Sequence, residues 1–283
     1  MALVVLATSC ASGASAARPR VPHRLVPVVV STDLAVGRNR LLLGRVDSTS
    51  GEPAVRAPSQ DTDVALYDLA VAEGDPVAVV RARFFWAVPD RYGMFRADVT
   101  FTEAGPWAAE LRPRGAQTTE SRPRVEFEVR DESLTLEIGS TAPRSKTRTL
   151  ADVGGDIARL TSDPHPDPRF YQTSIAGAMG MGVPFVVIFT SPAHCLTDLC
   201  LPALQRVKEV VADVTSLTVI HVEDYLDLDS PTPDVLDPVL GRWGLTSDTW
   251  VFAVTALGIV QAKFEASFEP GELFHEIQRL YGG

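Results

Sequence analysis

Apolar and polar residues alternate in short runs through the first half of the chain and regroup at three- and four-residue steps in the second. Runs at residues 25–31, 40–46, 64–69, 77–87, 94–102, 107–111 and 125–129 are β-branched or aromatic and are divided by turn residues, which predicts seven strands. In the last run Val125, Phe127 and Val129 face one way and Glu126, Glu128 and Arg130 the other. Seven short strands with no helical period predict an all-β sandwich over residues 21–140. Residues 140–148 and 163–169, rich in Pro, Ser, Thr and charge, read as linker and loop, so residues 141–174 divide two units, with a short ordered piece at 150–160. The second unit, residues 175–283, opens on a helical turn at 175–181 and then an unbroken apolar run from Phe185 to Phe189, which suits a strand buried on both faces. Beyond it Cys200, Ala203, Leu204, Val207, Val210, Val211 and Val214 make one face of a helix. Pro202 is tolerated only in its first turn, so Thr197 or Asp198 is the expected N-cap, with Cys200 in the first turn and Cys195 in the loop before it. A strand at 217–222, a short helix at 234–243, a hairpin of 250–255 with 259–264, and a helix at 271–280 bearing Leu273, Phe274, Ile277 and Leu280 on one face complete the pattern.

The chain has 283 residues, 45% of them hydrophobic, enough for two ordinary cores. Its formal charge of −10 comes without a basic stripe, which argues against nucleic acid as the main partner. No apolar run after the first residues approaches the roughly 20 needed for a membrane span. Residues 1–20 read as a processing segment, a short apolar run followed by small residues. Leu6-Ala7-Thr8-Ser9-Cys10 resembles a bacterial lipobox, although Ala7 stands where leucine is usual. The resemblance implies a diacylglycerol anchor on Cys10 and a place in the cell envelope, outside the cytoplasm. The alternative is a secreted protein cleaved after Ala14-Ser15-Ala16. Either route exposes Cys195 and Cys200 to an oxidising compartment, where disulfides persist.

Residues 92–107, from Tyr92-Gly93-Met94-Phe95 through Gly105-Pro106-Trp107, resemble the late hairpin of immunoglobulin-like domains, where a core tryptophan follows a glycine turn. The order β, α, β, α, β, β, α with a cysteine pair between the first strand and first helix resembles the thioredoxin-like fold. That resemblance implies thiol–disulfide exchange with envelope or secreted proteins, in which Cys195 attacks and Cys200 resolves, with His194 adding positive charge beside them and no cofactor or metal. The chain departs from it in three places: the spacing is Cys195-x4-Cys200, Thr249 stands where a cis-proline is usual, and no acid lies between Val186 and Thr190. One peroxiredoxin subfamily also has this spacing, and that resemblance implies the runner-up redox function, a peroxidase in which Cys195 attacks peroxide and Cys200 resolves, but Pro192 and Ile188 occupy the positions of its threonine and proline.

The residues themselves leave a redox pair, a fixed bridge in a binding or scaffold protein, and a pair of metal ligands all open. A bridge over so short a loop contributes only about 2 kcal/mol, which makes it a weak staple. His221 is the histidine a copper chaperone of that fold would pair with the thiols, though a strand-end histidine is more often a satisfied structural residue. Glu223, Asp224, Asp227, Asp229, Asp234 and Asp237 lack the glycine and terminal glutamate of a calcium loop and read as a solvated face. Arg112, Arg114, Arg122 and Arg124 likewise read as a solvated loop.

Overall fold

The structure is a computed structural model that describes residues 25–54, 57–58, 60–71, 74–115, 122–229 and 236–281; Cys10 and the expected processing segment lie outside them. Strands form at all seven predicted places: β1 Leu25–Val29, β2 Gly37–Asp47, β3 Thr62–Asp68, β4 Ala78–Val88, β5 Tyr92–Phe101, β6 Gly105–Pro113 and β7 Arg124–Val129. They make one antiparallel sheet in the order β1-β2-β5-β4-β3-β6-β7. Its two edges nearly meet, because Ala35 bridges Arg130 just past β7, where Val36 N–H donates to the Arg130 carbonyl and Arg130 N–H to that of Leu34, each at 2.9 Å. The alternate residues Leu41, Leu43, Val64, Leu66, Phe95, Ala97, Val99, Phe101, Trp107 and Val129 fill the interior of this barrel-like sheet. Such alternation is what a one-sided core demands.

After the barrel come short helical turns, then α1 Ile175–Met181, β8 Phe185–Thr190, α2 Cys200–Val211, β9 Thr218–Val222, α3 Pro238–Trp243, β10 Thr249–Val254, β11 Val260–Glu265 and α4 Pro270–Tyr281. The second sheet has the order β11-β10-β8-β9, with only β8–β9 parallel. β8 is buried along its whole length because its two faces pack into different cores. Val186 and Ile188 meet Ala203, Leu204 and Val207 of α2 and Leu273 and Ile277 of α4, while Phe185, Val187 and Phe189 meet Ile175, Ala178, Val239 and Trp243. Residues 141–174 are packed as well: Ala142, Val153, Leu160, Phe170 and Tyr171 are buried in these two cores.

This architecture corrects the expectation of an immunoglobulin-like sandwich followed by an α/β thioredoxin-like domain. The molecule is mostly β, 37% strand against 21% helical, with four α-helices among the described residues, and its first sheet is a nearly closed barrel rather than two facing layers. β5 and β6, expected to form a hairpin, are not neighbours; Trp107 enters the barrel core instead, edge-on to Phe101. Order along the chain was a poor guide to class because α1 and α3 have only 7 and 6 residues, and most strand pairs in the second sheet are antiparallel. Among the described residues no peptide bond is cis.

Candidate functional site

The site forms where β8 ends. A helical turn at Pro192–His194 leads to Cys195, then to Leu196, Thr197 and Asp198, and the chain enters α2 at Cys200. Pro202 sits in the first turn of α2 as expected, but the N-cap is Leu199, with no side-chain cap. Asp198 instead takes a left-handed backbone conformation, φ 61°, and pairs with Arg91 from the β4–β5 turn at 2.9 Å. Leu199 is buried against Leu42, Phe85 and Met94 of the barrel.

Cys195 and Cys200 are joined by a disulfide, with Cα atoms 5.8 Å apart. The two sulfurs are in unequal surroundings: Cys200 is fully buried, whereas Cys195 is half-buried beside Leu196, which is 85% exposed. The Cys200 N–H, one of the donors a helix start leaves unpaired, points at Cys195 Sγ from 3.2 Å. That sulfur takes the place of the missing side-chain cap.

Asp248, the residue before β10, completes the group. Its Oδ2 accepts a hydrogen bond from Leu196 N–H at 2.8 Å and lies 3.5 Å from both Cys195 Sγ and Cys200 Sγ. The Thr197 hydroxyl lies 3.3 Å from each carboxylate oxygen. Among the described residues, Cys195, Cys200 and Asp248 are the one set of three His, Cys, Asp or Glu side chains whose ligand atoms converge, within 4.8 Å of one another. The register explains why: Thr249 pairs with Thr190, so the residue before β10 meets the loop that follows β8. Nothing in the sequence pattern around Thr249 marks Asp248 as a site residue. The pairing of β10 with β8 would have been the signal, and it joins residues 59 apart.

The other proposed residues are placed differently. His194 donates from Nε2 to the Leu228 carbonyl at 3.0 Å and packs edge-on to Tyr225, so its ring anchors the loop to residues 225–228. It is not a member of the converging set. His221 is buried; its Nδ1 accepts from Tyr171 Oη at 2.6 Å and its Nε2 donates to the Thr190 carbonyl at 2.9 Å, the tautomer being assigned from those partners. Burial holds it below the usual histidine range despite the opposing charge of Glu223, which makes it a neutral structural residue. The acidic stretch is only partly solvated: Glu223 and Asp224 are buried, and Asp237 caps α3 through Val239 N–H at 2.9 Å. All four arginines are paired instead of hanging free: Arg112, Arg122 and Arg124 gather on Glu110, with Arg124 also over the Tyr67 ring, and Arg114 pairs with Asp63.

No protein-family model, curated protein or solved structure matches this chain. A cleft of about 800 Å³ lies elsewhere, between the barrel and β11–α4, lined by Arg38, Lys263, Trp250 and His275 among others and by neither cysteine. At the disulfide, an incoming thiolate can reach Cys195 but not Cys200, and the carboxylate beside both sulfurs can carry a proton to or from the buried one.

Proposed function

We propose that the protein exchanges thiols and disulfides with other proteins through Cys195 and Cys200. One observation carries this reading: a disulfide whose accessible and buried sulfurs both lie 3.5 Å from the same carboxylate oxygen of Asp248. A substrate thiolate attacks Cys195 Sγ, forming an intermolecular S–S bond while the Cys195–Cys200 bond breaks and its electron pair leaves on Cys200 Sγ. In the reverse direction the Cys200 thiol passes its proton to Asp248 and attacks Cys195 Sγ, expelling the substrate as thiolate. Leu196, exposed beside the reacting sulfur, gives an apolar contact for the partner polypeptide.

A fixed bridge is the second reading, favoured by the burial of Leu199 in the barrel rim, which already pins one side of the loop. The two separate in a trapping experiment. Under exchange, Cys200→Ser captures a mixed disulfide through Cys195 and Cys195→Ser captures none; a chain in which neither variant traps a partner is a structural bridge. Export with a lipid on Cys10 belongs to the same proposal and rests on the sequence pattern at Leu6 to Cys10. Its check is metabolic labelling with a lipid precursor in a bacterial host, and equal labelling of the parent and Cys10→Ser would remove it.

A further inference from the structure

We infer that the reduced protein is also a binding site for one thiophilic divalent cation of the zinc type, held by Cys195, Cys200 and Asp248. The site shares its cysteines with the exchange reading but needs only that the bridge can open, whether or not the pair turns over.

The argument is geometric. A tetrahedral zinc centre with metal–sulfur bonds of about 2.3 Å and metal–oxygen bonds of about 2.0 Å has sulfur–oxygen edges of about 3.5 Å and sulfur–sulfur edges of about 3.8 Å. Asp248 Oδ2 already lies 3.5 Å from Cys195 Sγ and 3.5 Å from Cys200 Sγ, so both sulfur–oxygen edges are in place. Only the sulfur–sulfur edge is wrong, because a covalent bond holds it. Reduction by a dithiol removes that bond: two electrons and two protons pass to the sulfurs, and the dithiol leaves as its own disulfide. A divalent cation then displaces the two thiol protons to solvent and takes two thiolates and one carboxylate, with water in the fourth position. Outer partners that orient such ligands are present as well. Leu196 N–H and the Thr197 hydroxyl fix the Asp248 carboxylate, and Cys200 N–H points at Cys195 Sγ. Disulfide and metal exclude each other, which makes binding conditional on the redox state of the pair.

The test uses the full chain carrying Cys10→Ser, so that only the paired cysteines contribute thiolates. It is reduced with a phosphine, freed of reductant and titrated with cadmium, following the ultraviolet thiolate-to-cadmium charge-transfer band, and zinc is then added in competition. One cadmium per chain is expected for the reduced protein, displaced by zinc, and no band for the oxidised protein. Asp248→Asn should weaken binding at least about 10-fold, and Cys200→Ser should lose about half the band per metal, with far-ultraviolet dichroism confirming that each variant is folded. No band on reduction, one cadmium shared by two chains, or unchanged affinity in folded Asp248→Asn would each overturn the site. Trapping of a partner is a separate readout, so the failure of exchange and the failure of metal binding are told apart.

Discussion

The carboxyl of Asp224 is pushed up from 3.8 to about 8 by its burial, with the charges of Glu223 and Asp248 adding to the rise and the Ser191 hydroxyl opposing it. Asp33 is buried too, but there the hydroxyls of Ser133 and Thr135 and the Lys263 ammonium outweigh desolvation and pull the group down to about 2. Burial alone therefore fixes neither sign; the partners decide it. Because the folded Asp224 holds a proton that the unfolded chain releases, its contribution to stability is full below about 4, declines as pH rises toward about 8, and is level above that. Asparagine, which stays neutral, should match the parent near pH 4 and gain on it as pH rises to 8. Urea midpoints of Asp224→Asn and parent at pH 5 and pH 8 measure this, and an equal difference at both values would contradict the assignment.

Turn chemistry decides which small helices can close. Gly244 ends α3 at φ 65°, and a Cβ there would lie 1.8 Å from the Leu134 carbonyl oxygen, a backbone atom that cannot move aside cheaply. Gly244→Ala should therefore cost at least ~2 kcal/mol, from the left-handed conformation and the clash together. Gly241, inside the same helix, meets nothing within 4 Å, and Gly241→Ala should stabilise by about 0.5–1 kcal/mol through helix propensity. Chemical denaturation of the two variants reads both signs, and a tolerated Gly244→Ala would refute the packing of α3 on residues 134–135. At this scale much was legible in the sequence: the seven strands, the buried β8, the α2 face and the β10–β11 hairpin all follow from period and burial. What period cannot report is which strand lies beside which. Val64 and Leu111 are partners across β3 and β6, far apart in sequence, and that pairing makes a barrel where alternation alone suggested a sandwich. Phe274 fits the apolar face of α4 by spacing yet is 46% exposed, because Leu273 and Ile277 suffice to cover the sheet. Asp248 was hidden for the same reason as the barrel, since its relation to the cysteines exists only through the β8–β10 register.

Across the whole molecule the barrel and the second sheet hold each other through buried and half-buried polar contacts. Arg40 grips Glu272 of α4 with two bonds of 2.8 and 2.9 Å, and Arg96 adds a third at 2.9 Å. Arg206 of α2 donates to the carbonyls of Trp86 and Ala87 in the barrel and to that of Phe268 before α4. With Leu199 buried in the barrel rim and Asp198 paired to Arg91, the barrel fixes the α2 side of the cysteine loop and leaves Leu196 and the Cys195 side open. A sulfur held in this half-open position is attackable, and bridges with accessible, functional sulfurs have higher potentials than the structural ones, which fall below about −300 mV. The most direct test of the exchange account is the reduction potential of the Cys195–Cys200 pair, measured on the full chain with Cys10→Ser by equilibration against defined ratios of a dithiol and its disulfide. A value above about −300 mV is predicted, and a value well below it would show a bridge that is structural and contradict exchange.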